Sequence, residues 1–295
     1  MADLSGRTIR VVAPARWVED DILQRFSALA EGAGAKVQIA PQCTMRDHQL
    51  AGPDKARAAA MNEALSDPSV DIIWCARGGY GAPRLLGRVD FDAARRPQLL
   101  VGYSDITCLH QRAFGTAAII PVHAAMPMDL RKENGAENLQ RAFHLCGEAL
   151  SGSVPRRSFD LSPVRPGEAE GPLMVGNLHV LAMLLGTRYE PIWPDNCILC
   201  VEDVGEYYYA IDRLFWRLSQ SRLAASVRGI ALGEFTDNED NEVPWGAAVE
   251  QIAALHFPDI PIATGMPVGH GANNKPLIVA APAKLSVGET ATLTV

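Results

Sequence analysis

In the first half of the chain, short apolar runs alternate with amphipathic stretches, and this alternation limits the fold more than any other feature. Runs at 8–13, 36–39, 70–75, 98–101 and 118–122 have strand length. Helices are expected between them, at 22–34 from its apolar spacing, at 53–67 from its Ala-rich composition with a Pro near its start, and at 106–114. In the first of these, Leu23, Phe26, Leu29 and Ala30 share a face, and Gly32 and Gly34 end it. A further helical stretch is expected after Gly81, through Arg88. Strands alternating with helices argue for parallel pairing, because a parallel pair needs a long crossover. The rhythm therefore predicts a mostly parallel sheet covered by helices on both faces.

From 151 to 171 the rhythm lapses. Ser151-Gly152-Ser153-Val154-Pro155, then Pro163, Pro166 and Gly167, read as a domain linker. Beyond it, helices are expected at 177–185, 211–218 and 246–255. Strands are expected at 197–201, 229–232 and 260–264, with short β segments at 277–280, 284–287 and 291–295. The fold class is α/β. An N-terminal parallel-sheet domain (1–150) would be joined by a linker (151–171) to a C-terminal α/β domain with several short β segments (172–295).

A chain of 295 residues can bury two such cores. The net charge of −7, without a basic tail or cluster, argues against nucleic acid and anionic membrane as partners. No apolar run is long enough to span a bilayer. Met1-Ala2-Asp3-Leu4-Ser5-Gly6-Arg7 lacks the apolar core of a signal peptide, so a cytoplasmic location is expected. The cysteines lie scattered, several in apolar runs where a thiol packs as a small hydrophobe. Cys197 and Cys200 have C-x-x-C spacing, but no second pair or nearby histidine completes a metal set.

Particular segments could carry chemistry. In Leu99-Leu100-Val101-Gly102-Tyr103-Ser104-Asp105-Ile106-Thr107, an apolar run ends at a glycine, a serine follows, and a helix begins. A serine on a strand-to-helix turn projects its hydroxyl clear of the sheet. The alternative is that Ser104 only caps the helix, with Asp105 in its first turn. Arg77-Gly78-Gly79-Tyr80-Gly81 follows a strand; it has neither dinucleotide-fingerprint nor phosphate-loop spacing. It allows close approach of a ligand to backbone, or merely makes a tight turn. In Leu199-Cys200-Val201-Glu202-Asp203-Val204-Gly205-Glu206, a strand delivers carboxylates at its C-terminal end, fit to orient a histidine or to remain solvated. In Met266-Pro267-Val268-Gly269-His270-Gly271, the flanking glycines free a histidine from core packing. A hydroxyl, a carboxylate and an imidazole together match the nucleophile, orienter and base of acyl transfer. With Ser104 in the first domain and Glu202 and His270 in the second, an active site at the domain interface is expected.

These segments in this order, together with Ala51-Gly52-Pro53-Asp54-Lys55-Ala56-Arg57, resemble the serine L,D-carboxypeptidase family. That family includes the muropeptide enzymes of peptidoglycan recycling and the microcin C immunity peptidases. The resemblance implies Ser104 as nucleophile, His270 as general base and Glu202 as its partner. It implies an oxyanion hole from the backbone N–H groups of Gly79 and Asp105, a homodimer, and no metal or cofactor. Val175-Gly176-Asn177-Leu178 stands where the family has Gly-Gly-Asn-Leu, which makes Asn177 a candidate substrate contact. His123-Ala124-Ala125 stands where His-Gly-Pro is expected. Both departures bear on substrate choice: a muropeptide whose terminal D-Ala is released, or a peptidyl-nucleotide of the microcin type. Two rivals of other classes remain, a non-catalytic ligand-binding protein and a C-x-x-C redox or metal protein. The first should have lost part of the triad.

Overall fold

The apolar runs of the first half become the parallel core of one of two compact units in the computed structural model, which describes residues 4–295. Met1, Ala2 and Asp3 of the N-terminal segment lie outside the described residues. The first unit contains residues 4–155 and Asn274–Ile278; the second contains Arg156–Asn273 and Val279–Val295.

In the first unit, β1 (Thr8–Val12), α1 (Asp20–Gly32), β2 (Lys36–Ile39), α2 (Asp54–Ser66), β3 (Ile72–Cys75), β4 (Gln98–Gly102), α3 (Thr107–Ala113), β5 (Ile119–His123) and α4 (Gly135–Ser151) follow one another. The five strands pair in parallel in the order β5-β4-β3-β1-β2. Leu277–Ile278 returns from far along the chain and pairs antiparallel with β5. β3 and β4 are buried throughout, as expected of central strands covered on both faces. Phe26 of α1, Trp74 of β3 and Phe143 of α4 meet with ring centroids 5.1–5.7 Å apart. The expected helix through Arg88 is only a 3-10 turn, Ala82–Leu85, and Gly87 interrupts the expected span just beyond it. α4, not anticipated above, buries Leu139, Ala142, Phe143 and Cys146, which recur at helical spacing.

In the second unit, β6 (Ser158–Arg165) and β7 (Gly167–Asn177) occupy most of the segment expected to be a linker. They are followed by α5 (Leu178–Leu184), β8 (Cys197–Val204), α6 (Tyr208–Ser219), β9 (Val227–Thr236), α7 (Val249–His256) and β10 (Ile262–Thr264). After Leu277–Ile278, which is β11, come β12 (Pro282–Val287) and β13 (Ala291–Thr294). The strands close into a barrel in the order β10-β6-β13-β12-β7-β8-β9. Pro163 sits beside a register shift between β6 and β10, a position that tolerates a residue without an N–H. Cys197 and Cys200, three apart on β8, point to opposite faces of the strand, so their sulfurs do not converge. Burial pushes the Cys197 thiol up to about 12 and the Cys200 thiol higher, which makes both poor ligands. Among the described residues no helix is long and apolar enough to cross a membrane.

Candidate active site

β4 carries the chain through the middle of the first sheet and releases it at Tyr103, which is still extended. Ser104 then takes φ +62°, a left-handed conformation that costs a non-glycine residue of order 1–3 kcal/mol. A 3-10 turn, Ser104–Ile106, and α3 follow at once. The result is a sharp strand–turn–helix with a half-buried serine at its apex. The backbone N–H of Asp105, in the first turn, has no acceptor within its own helix.

The glycine loop lies against this turn. A β-carbon on Gly78 would sit 3.0 Å from Ser104 Cβ and 3.1 Å from its Oγ, so a larger residue there would push on the serine. Arg57, fully buried on α2, fixes the loop by donating to the carbonyls of Gly81 (2.8 Å), Pro14 and Gly52. Asp105 accepts from the N–H of Ala82 at 2.8 Å. Burial raises its carboxyl to about 6, opposed by that bond and by the charges of Arg57 and Arg16. On the other side of Ser104, the Tyr103 hydroxyl donates to Asp129 at 2.7 Å and accepts from Lys132 at 2.9 Å. The buried His123 ring packs 5.6 Å from that of Tyr103.

In the second unit, Glu202 is fully buried near the end of β8. Its Oε2 accepts from His270 Nδ1 at 2.6 Å. Oε1 is buried with no hydrogen-bond partner among the described residues. The register of β8 with β9 shifts by one around Glu202, which sets Gly233 and Glu234 opposite it. Such a bulge commonly re-aims a side chain at a functional site. Gly269, at φ +131°, lets the loop run along the acid: a β-carbon there would lie 3.0 Å from Glu202 Cβ. The Glu234 carboxylate lies directly on Gly271, where a β-carbon would collide with Oε2. Gly269 is thus favoured by its backbone conformation and by packing, whereas at Gly271 the near neighbour is the flexible end of Glu234.

Asn177 ends β7 and caps α5. Its amide oxygen accepts from Val180 N at 3.0 Å and its nitrogen donates to Asp203 at 2.9 Å. Asp203 also accepts from the N–H groups of His179 and Val204, and burial beside Glu202 raises its carboxyl to about 6. The residue expected to touch substrate is therefore engaged at both ends of its side chain by protein. Among the described residues, no group of three or more His, Cys, Asp or Glu could hold a metal ion.

Residues 9–124 match the LD-carboxypeptidase N-terminal domain, and residues 170–285 match the LD-carboxypeptidase C-terminal domain. The chain belongs to the LD-carboxypeptidase family. It is a peptidase. The murein tetrapeptide carboxypeptidase of Pseudomonas aeruginosa is 30% identical over 92% of this chain and 90% of its own length. The crystal structure of muramoyltetrapeptide carboxypeptidase from Oxalobacter formigenes superposes with a TM-score of 0.84 at 26% identity, covering 97% of this chain and 98% of that one. The microcin C7 self-immunity protein in complex with aspartyl sulfamoyl adenosine has the same fold, with a TM-score of 0.82 at 19% identity, covering 98% of this chain and 96% of that one.

Sequence reasoning about this LD-carboxypeptidase missed several side chains that shape the site. Arg57 stood out only as the last residue of a motif, since nothing in an Ala-rich helix marks one arginine as the buried one. Glu234 had a visible signal: like Glu202, it follows an apolar run that ends a strand. The Tyr103–Asp129–Lys132 contacts join residues whose separation in sequence gives no local pattern.

Proposed function

We propose that this carboxypeptidase hydrolyses the amide between an L-centre and a terminal D-amino acid, releasing D-Ala from a muropeptide tetrapeptide. Ser104 is the nucleophile, His270 the base and Glu202 its orienting partner. The observation that carries the reading is Ser104 at φ +62° on a strand-to-helix turn, a strained placement that a mere helix cap does not need. Supporting it, an ionised carboxylate only accepts hydrogen bonds, so Glu202 holds the Nδ1–H tautomer and leaves the Nε2 lone pair for the serine proton.

The reaction follows from these roles. His270 Nε2 takes the Ser104 proton as Oγ bonds to the amide carbon. The carbonyl electrons move to oxygen, which the N–H groups of Gly79 and Asp105 stabilise. Collapse breaks the C–N bond, and the proton on His270 passes to the departing amine. A water then gives its proton to His270, attacks the acyl ester, and the proton returns to Ser104. Asn177 is assigned to holding Asp203 and the start of α5 rather than to direct contact. The expectations of a cytoplasmic homodimer without cofactor accompany this reading.

The murein-named relative at 30% identity favours the muropeptide over the aminoacyl-nucleotide substrate, because the microcin immunity proteins share only the fold at 19%. The test is release of D-Ala from L-Ala-γ-D-Glu-meso-diaminopimelate-D-Ala by the parent and by Ser104→Ala. Release by the parent, with a loss on the order of a millionfold in the variant, is expected. Equal rates would remove Ser104 from the mechanism.

A further inference from the structure

Around the glycine loop, two arginines lack the direct ion pair that their neighbours have. Arg57 pairs with Asp54, and Arg131 with Glu19. Arg16 and Arg77 make no ion pair among the described residues. Arg16 donates through Nη2 to the Gln49 side-chain oxygen, and Arg77 through Nη1 to the Trp17 carbonyl at 3.2 Å, both neutral acceptors. Arg16 Nε is buried with no partner among the described residues. Burial, then the charge of Arg16, holds the Arg77 guanidinium below its ordinary value. Two like charges kept close and partly desolvated are unfavourable unless an anion joins them.

Their position says which anion. The Arg16 side chain lies along Gly79, where a β-carbon would be 2.7 Å from Cδ and 3.2 Å from Nε. The preceding residue, Gly78, lies against Ser104. Guanidinium and nucleophile therefore contact successive glycines of one loop. Of the nearby acids, Asp105 accepts from Ala82 N–H and Glu19 binds Arg131 through Oε1, so toward Arg16 and Arg77 each exerts only a longer-range attraction. In a substrate cut before its last residue, only the amide nitrogen and one α-carbon separate the scissile carbonyl from the terminal carboxylate. An anion bound there must sit within a few bond lengths of the serine hydroxyl.

Building on the carboxypeptidase reading, we propose that Arg16, with Arg77 beside it, binds the α-carboxylate of the departing amino acid and so restricts the enzyme to chain ends. Arg16 supplies the fork-shaped donor set that matches a carboxylate. Arg77 adds positive charge beside it.

The test compares the D-Ala-terminated tetrapeptide with its C-terminal D-alaninamide analogue, in the parent, Arg16→Gln, Arg16→Lys and Arg77→Gln. The parent is expected to prefer the free acid. In Arg16→Gln, kcat/KM for the acid should fall about 10- to 100-fold, the worth of a charge-assisted contact, while the amide rate stays within a few-fold. Arg16→Lys should keep part of the preference, and Arg77→Gln should lose part of it. An equal fall for both substrates would show that Arg16 only supports the loop, and an unchanged preference would show no contact; either overturns the subsite. A parent inactive on both substrates would instead overturn the functional reading, and the subsite with it.

Discussion

The two units prepare their chemical groups by opposite means. The first holds Ser104 through the backbone, with a left-handed residue on a turn, glycines pressed against it and a buried arginine pinning the loop. The second holds His270 through side chains, with a fully buried carboxylate at 2.6 Å set by a strand bulge. The nucleophile role proposed for Ser104 needs a fixed hydroxyl, which a strained turn supplies. A base needs a fixed tautomer, which only a hydrogen-bond partner supplies. Substitutions should therefore act differently in the two units: in the second they abolish rate through one contact, and in the first they also register as changes in stability.

The largest effect should come from the side-chain half. Glu202→Gln keeps the volume but no longer imposes the Nδ1–H tautomer, and kcat should fall by about four orders of magnitude with the fold retained. A loss under tenfold, read by D-Ala release alongside circular dichroism, would detach Glu202 from catalysis. In the first unit, Asp105 tests electrostatics through stability. Its folded value is raised from 3.8 to about 6. Its contribution is thus fully present below pH 4 and lost as pH rises through 6. Relative to Asp105→Asn, the parent should lose on the order of 2–3 kcal/mol of unfolding free energy between pH 4 and 7. Parallel denaturation profiles across that range would show that the carboxyl is not raised. The smallest effect concerns strain: Ser104→Gly should be more stable than Ser104→Ala by about 1 kcal/mol in urea unfolding, because glycine takes positive φ at no steric cost. The reverse order would mean that the turn is unstrained.

The same contrast governs what the sequence reveals. The parallel sheet of the first unit was legible because each buried strand is a continuous apolar run ended by a local turn signal, with α1 marked by its apolar face and α2 by its Ala-rich composition. The barrel was not. β6 alternates between exposed and half-buried residues, contains Pro163 and carries no apolar face that a local pattern could register. Its partner β13 lies across the rest of the unit, with Leu161 opposite Ala291. Closure by such pairs is a property of the whole chain. Within the site, Ser104, Glu202 and His270 stood out because strand ends and flanking glycines frame them. Arg57 and Asp129 act by burial and, in part, by bonds to residues far along the chain, Pro14 and Gly81 for the one and Tyr103 for the other, which no short motif encodes.

The central claim is that Ser104 in one unit and the Glu202–His270 pair in the other serve one bond-breaking step. D-Ala release by Ser104→Ala, His270→Ala and the double variant measures that directly. Groups acting as a single catalytic device lose their effect together, so the double variant should be no slower than Ser104→Ala alone, within a few-fold. If the two losses multiply instead, the serine and the histidine contribute to separate steps, and a shared triad is ruled out.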